Sequence, residues 1–177
     1  YNRLEKRWGA AKVEAALVGI FTFEGVPFLY NGQEIADASR HSLFGKTPIN
    51  EAQFGTPSGR ARFAFCQRLC RLRKSEAALQ QGSLTWIEIP THPNVLAFER
   101  IEGPDRILVL INLSNQSANV ALQEIAGPFT PLFSRAAKGD PLCGLHLDAF
   151  GFFIGKQSDR KAEPSAIDLN AEGVTRP

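Results

Sequence analysis

The sequence predicts an α+β chain, with two helices and a lone strand in residues 1–80 and antiparallel strands from 81 onward. Two observations carry this reading. Apolar residues recur at helical intervals over 4–22 and again over about 59–79, and from Gln81 the period changes to two. A third is the tetrad Glu102-Gly103-Pro104-Asp105, a tight turn that joins two of the alternating runs.

Each element follows in order. Over 4–22, Trp8, Ala11, Ala15, Val18 and Phe21 share a face, and Val13, Leu17 and Ile20 widen it, so this helix is expected to be buried on much of its circumference. Gly25 and Pro27 stop it. Residues 26–30 form a short apolar run between turn residues, the pattern of a fully buried parallel strand. The stretch 31–58 carries Gly32, Gly45, Pro48, Gly55 and Pro57 with little periodicity, and ordered loops of such length are usually functional. On the second helix Phe65, Leu69 and Leu72 share one face with Cys66 beside them, opposite Arg60, Gln67, Arg71 and Lys74. Strands are expected at 84–89, 95–101, 107–113 and 119–123, with weaker ones at 129–133 and 150–154. Residues 107–111 are apolar at every position, as a central strand covered on both faces requires. Short antiparallel strands at this spacing predict a β-sandwich over 81–157 that folds without the preceding helices. Residues 158–177 are polar, lack aromatics and read as a loose tail. No internal repeat is visible.

Composition removes several classes. With 44% hydrophobic and 21% charged residues, the chain is neither a disordered tail, a collagen-like rod nor a disulfide-dense mini-protein. Twenty Lys and Arg against eighteen Asp and Glu leave +2, which makes no electrostatic case for nucleic acid or an anionic membrane. No apolar run approaches the roughly 20 residues of a bilayer span. Arg60, Arg62, Arg68, Arg71, Arg73 and Lys74 line the second helix without interleaved aromatics, and read as a solvated face. Cys66, Cys70 and Cys143 are too few, and His41, His92 and His146 too scattered, to predict a metal site, and nothing implies a cofactor. Cys66 and Cys70 lie four apart in an apolar stretch and read as small buried hydrophobes. Trp86 on the first strand is read as a core residue in preference to a sugar-stacking platform. The sequence opens at Tyr1 and contains no Met, so it is expected to be a piece of a longer polypeptide.

The segment Gly25-Val26-Pro27-Phe28-Leu29-Tyr30-Asn31-Gly32-Gln33-Glu34-Ile35 resembles the eighth barrel strand of the α-amylase family of glycoside hydrolases, whose pattern is Gly-x-Pro-x-x-Tyr-x-Gly-x-Glu. Asn2-Arg3 with Arg7-Trp8-Gly9 looks like the stretch after that family's Asn-His-Asp motif. Leu72-Arg73-Lys74 with Ala78, Leu79 and Gly82 looks like its eighth helix and exit. Val95 to Arg100 and Val109 to Ser114 are similar to its C-terminal β-sandwich.

The resemblance implies residues 1–80 as the end of a catalytic (β/α)₈ barrel (helix, eighth strand, long loop, eighth helix), 81–157 as the C-terminal β-domain and 158–177 as a polar tail. It implies retaining chemistry on α-glucans such as starch, with a pair of carboxyls about 5–5.5 Å apart at the scissile bond. In the family these two and a third Asp that aids distortion arise on the fourth, fifth and seventh barrel strands, and no matching motif occurs here, so no catalytic residue is assigned and the chain alone is expected to be inactive. Loops after barrel strands line the substrate cleft, so Asn31, Gln33, Glu34 and Asp37 are candidates for its rim. Gln33 and Glu34 serving only to brace the loop is the competing reading. Arg3 and Arg7 are candidates to orient carboxylates near the site, and Tyr30 is expected to pack at the strand end. The expected partners are an α-glucan for the intact enzyme, and an upstream barrel portion or a second copy to cover the exposed strand. Two alternatives stay open: a non-catalytic glycan-binding or interaction module, and a transglycosylase or isomerase of the same family.

Overall fold

A computed structural model describes residues 2–157 apart from 41, 43, 123, 124 and 126. The expected tail at 158–177 and His41 lie outside the described residues. The first helical stretch is divided at Gly9 (φ 78°) into α1 (Leu4–Trp8) and α2 (Ala10–Thr22). As its wide apolar stripe requires, α2 buries Val13, Ala15, Leu17, Val18, Gly19, Phe21 and Thr22, whereas α1 buries nothing.

Residues 26–30 are not a strand. Val26 is 94% and Phe28 72% exposed, because a strand needs a hydrogen-bonded neighbour and none of the described segments lies beside it. The loop that follows contains two 3₁₀ turns, Gln33–Ile35 and Glu51–Gly55. Helix α3 (Pro57–Ser75) starts on a complete cap: Thr56 Oγ1 accepts from the Gly59 amide at 3.0 Å, and Pro57 occupies the first turn. A short α4 (Ala77–Gln80) leads into the sheet.

The strands are β1 (Ser83–Trp86), β2 (Val95–Glu102), β3 (Asp105–Asn112), β4 (Ala118–Val120), β5 (Phe129–Asp140) and β6 (Gly144–Gln157). Glu102 pairs with Asp105 across the expected turn. The six form one antiparallel sheet in the order β1-β2-β3-β6-β4, with β5 along the other edge of β6, where the expectation was a sandwich. The long β6 replaces the second sheet. Its residues 152–156 pair with β3 and 145–147 with β4, while 144–147 and 152–157 pair with β5. Between those halves the β5 register jumps from Arg135↔Phe152 to Ala137↔Leu147, and Ala136 (φ 51°) and Phe150 (φ 56°) take up the bend. A sheet bent this way covers one of its faces with its own far end.

Both faces of the sheet are buried. On the first, Phe98, Ile107, Val109, Ile111, Phe133, Phe152 and Ile154 pack with Val13, Leu17, Val18 and Phe21 of α2, Cys66 and Leu69 of α3, and Ala78 and Leu79 of α4. On the second, Val95, Ala97, Leu108, Leu110, Leu145, Leu147 and Phe153 pack with Ala118, Val120, Leu122 and Phe129. Residues before and after 80 therefore share one core. Cys66 is buried, as read, and its thiol is pushed up to about 11 by burial, while Cys70, read as buried beside it, is exposed, as is Cys143.

Two arginines expected on a solvated face are buried, Arg62 and Arg73. Arg73 donates to the Phe21, Phe23 and Gly25 carbonyls at 2.8, 3.0 and 2.5 Å, and Arg100 of β2 donates to Thr22 O at 2.7 Å and Gly82 O at 2.6 Å. Together they satisfy the carbonyls at the end of α2. Arg60, Arg68, Arg71 and Lys74 are exposed as expected.

Glu99 is the one anomaly of the second face. It is buried, its Oε1 has no hydrogen-bond partner among the described residues, and Arg106 Nη1 stands 3.6 Å away. Burial raises its carboxyl above the usual carboxylate range, with Arg106 opposing. The folded protein thus holds this proton more tightly than the unfolded chain does. That contribution is fully present below the unfolded value and is lost as pH rises through the folded one. Glu99→Gln is expected to narrow the loss of stability across that window. Melting temperatures of both proteins measured from pH 4 to 8 check this, and parallel curves would refute it.

Candidate functional site

The segment after the apolar run is shaped by Arg3. Its guanidinium donates twice to the Asn31 carbonyl, once at 2.8 Å through Nη1 and once through Nη2. It also pairs with Asp37 Oδ2 at 3.4 Å and lies 5.3 Å from the Tyr30 ring centroid. Gly32 lies directly beneath it: φ is 84°, and a Cβ there would sit 2.5 Å from Arg3 Nη2. Only glycine combines that backbone with that clearance. An isolated antiparallel bridge between Asn2 and Arg40 fastens the same corner.

Asp37 is buried within this knot. Burial alone would raise its carboxyl, but the Ser39 amide at 2.9 Å, the Ser39 hydroxyl at 2.8 Å, the Arg3 charge and the Asn50 amide together hold it below the usual range. Gln33 Oε1 accepts from the Tyr30 amide at 3.2 Å and closes the turn. Both side chains are engaged in holding the loop.

Asn31 and Glu34 behave differently. They line an open cavity of about 440 Å³ together with Ile35, Ile49, Glu51, Phe54 and Phe63. Its floor is where α3 meets the loop. Gly59 permits that contact, since any side chain there would overlap the Gln53 carbonyl oxygen. Phe54 and Phe63 meet edge to face with centroids 4.9 Å apart. The side chains of Asn31, Glu34 and Glu51 make no hydrogen bond or ion pair within the described structure, so their polar atoms are available to a ligand. Five lining residues were missed in the sequence: Ile35, Ile49, Glu51 and Phe54, because an aperiodic loop gives no pattern that reveals which residues face inward, and Phe63 of α3, which lies off the apolar face read for that helix.

The remaining candidates lie elsewhere. Arg7 is exposed, and Trp8 is half-exposed beneath Lys12 Nζ at 5.5 Å. Trp86 is 56% exposed on the edge strand β1, with one side against Phe23 (5.8 Å) and Phe98 (5.3 Å), so it is only partly the core residue expected. No group of three or more His, Cys, Asp or Glu that would hold a metal ion occurs among the described residues, and no described helix is long and apolar enough to cross a membrane.

Residues 88–154 match the family model described as Maltogenic Amylase, C-terminal domain. A cyclomaltodextrin glucanotransferase from Klebsiella oxytoca is 30% identical over 122 residues, which is 66% of this chain and 18% of the relative. A cyclomaltodextrinase from Bacillus sp is 27% identical over 136 residues, 77% of this chain and 22% of the relative. The chain thus spans about a fifth of the length of these relatives. Among solved structures, the Nostoc punctiforme debranching enzyme superposes with a TM-score of 0.69 at 21% identity, over 87% of this chain and 33% of that one. Trehalose-6-phosphate hydrolase from Bacillus licheniformis superposes with a TM-score of 0.68 at 12% identity, over 88% of this chain and 41% of that one.

Proposed function

We propose that this chain, a relative of the C-terminal part of α-amylase-family glycoside hydrolases, supplies the last barrel segment and the C-terminal β-domain of a retaining enzyme acting on α-glucans. The observation that carries this reading is the match to the maltogenic amylase C-terminal domain over 88–154, continued upstream by the Gly25-to-Glu34 motif. On this reading 1–80 is the end of the barrel (helix, eighth strand, loop and eighth helix), 81–157 is the β-domain, and 158–177 is a tail. The exposed run 26–30 supports it from another direction. Val26, Phe28 and Tyr30 are the kind of side chains a neighbouring barrel strand covers, and leaving such groups in water forfeits about 1.5–3 kcal/mol each. The upstream barrel is the partner that fits, with a second copy of this chain as the alternative.

The cleft rim divides its labour. Asn31 and Glu34 face the open cavity, while Gln33 and Asp37 hold the loop in shape under Arg3. None is placed as nucleophile or acid, and the carboxyl pair that retention needs is proposed to lie upstream.

Purified residues 1–177 are expected to release no reducing sugar from starch or maltooligosaccharides. A chimera carrying this chain in place of the matching segment of the Bacillus sp cyclomaltodextrinase is expected to cleave cyclomaltodextrins. Turnover by the chain alone that disappears with Glu34→Gln would overturn the assignment, and so would a folded but inactive chimera.

A further inference from the structure

We infer that Glu99 is a proton-operated latch on β1: with its carboxyl protonated the edge strand stays closed on β2, and with it ionised β1 lifts from the sheet. The register places Glu99 in the row Thr85, Glu99, Leu108, Gly155, with β1 on one side of it and β3 on the other. It is only 6% exposed, and its Oε1 finds no hydrogen-bond partner among the described residues. A neutral carboxyl tolerates such a position far better than a carboxylate does.

The surroundings offer the charge little. From β3, Arg106 Nη1 stands 3.6 Å from Oε1, beyond a hydrogen bond, and the side chain that carries it is 31% exposed, so solvent screens it. From β1 comes Thr85, followed on the same face by Ile87, whose amide donates to Ala97 O at 2.9 Å. The flanking residues of this face are Ala97 and Ile101 on β2 and Leu108 and Leu110 on β3. Lys156, with its partners Glu76 and Asp105, belongs to the opposite face, because it stands across from Ile107. Among the described residues Arg106 is therefore the charge that acts on Glu99. Burial outweighs it and raises the carboxyl above its ordinary value.

An ionised Glu99 reaches water most cheaply by displacing β1. Toward β3 it is walled by a strand that pairs with β2 along 95–102 and with β6 beyond. Strand β1 has four residues, lies outermost in the sheet, and none of its residues is buried. Two further contacts fasten it: the Leu84 amide donates to Glu24 Oε1 at 2.8 Å, and the Trp86 ring packs against Phe23 and Phe98. Elements with so little buried surface open first. Release of β1 hydrates Glu99 and withdraws Trp86 from Phe98, so pH sets how far this edge of the sheet is exposed.

The test is amide hydrogen exchange of the 177-residue chain, followed by NMR between pH 4 and 8, with rates corrected for their intrinsic pH dependence. Protection of the Ile87 amide is expected to be constant below the ordinary carboxylate range. Above it, protection should fall about tenfold per pH unit until the closed-state value of Glu99 is passed. Glu99→Gln is expected to abolish the fall. Arg106→Gln changes a partly exposed side chain, removes the opposing charge and is expected to carry the fall to higher pH. Glu24→Gln keeps an acceptor for the Leu84 amide and is expected to leave the fall in place, which separates the outer grip from the latch. If Glu99 gives up its proton only on global unfolding, the Ile87 amide keeps constant protection while the slowest amides of β3 lose theirs. That pattern, or a fall that persists in Glu99→Gln, overturns the inference.

Discussion

Arg62→Ala is expected to cost about 3–5 kcal/mol of stability, which in a chain of this size lowers the melting temperature by about 10 °C or more. Arg62 is 1% exposed, yet it lies on a helix whose other basic residues are mostly in water. Its Nη1 and Nη2 donate to Glu5 at 3.0 and 2.9 Å, Nε to Glu14 at 3.2 Å, and Nη2 also to the Ala10 carbonyl at 3.2 Å. Arg135 of β5 donates to the other oxygen of Glu14. One side chain thereby joins α1, α2 and α3, and through Glu14 the sheet. Removing it strands the Glu5 carboxylate, only 14% exposed, and leaves Glu14, 13% exposed, with Arg135 alone. Arg62→Met keeps the stem but not the donors and is expected to lose nearly as much. Adding Glu5→Gln and Glu14→Gln to Arg62→Met is expected to recover part of the loss, because the stranded charges are then gone. A loss under about 1 kcal/mol for Arg62→Ala in urea unfolding would mean that water replaces the guanidinium freely. The consequence reaches the 31–37 loop: α1 buries no residue of its own, so the Glu5 bridge joins the Leu4 contact and the Asn2–Arg40 bridge in holding the segment from which Arg3 clamps that loop.

Much of this architecture was legible because periodicity records burial directly. The five apolar residues 107–111 announced a strand covered on both faces, and all five are at 0% exposure. The Glu102 to Asp105 turn fixed the β2–β3 hairpin and its register. The failures have physical causes. Residues 26–30 carry the pattern of a buried strand, but pairing depends on a neighbour that the pattern cannot supply. A sandwich was expected where one sheet bends on itself, because the bend depends on Ala136 and Phe150 adopting positive φ, which neither residue type advertises. Gly9 divides a helix whose apolar stripe runs straight through it. At the cavity the motif pointed to a loop that lines it. It did not distinguish Asn31 and Glu34, which face the open space, from Gln33 and Asp37, which are turned into the backbone and Arg3. That division follows from hydrogen-bond partners that lie far apart in sequence. The same blindness made Arg62 and Arg73 look solvated: a charge on a helix is read as surface until its buried partners are known.

Arg100→Ala should be at least as damaging as Arg62→Ala, and its effect should appear in α2 although the residue belongs to β2. The Arg100 guanidinium is 1% exposed and spans from Gly82 O, at 2.6 and 3.2 Å, to Thr22 O at 2.7 Å. Burial lowers its pKa, the Arg73 charge adds to that, and Glu24 opposes it, so the fold keeps this cation charged against its surroundings. The carbonyls at the helix end supply the compensation, since the C-terminal end of a helix carries partial negative charge. Without the side chain, two buried carbonyls lose their donor and a cavity opens beside Phe98, for a combined cost of about 3–5 kcal/mol. Arg100→Lys keeps the charge, but a single ammonium does not offer the planar fork that reaches both carbonyls, so it is expected to rescue less than half of the loss. Native-state hydrogen exchange resolves where the damage falls. Amides at the end of α2 should lose protection more than those of β3, which remain paired on both sides. The reverse pattern, with β3 opening first, would show that the sheet does not depend on the helix. The same contacts bear on the expectation that residues 81–156 fold without the preceding helices. Phe98, Ile107, Val109, Ile111, Phe152 and Ile154 take their cover from α2, α3 and α4, and a fragment lacking those helices would expose that entire face. The arginine that ties β2 to α2 thus joins the segment before residue 80 to the sheet that follows it.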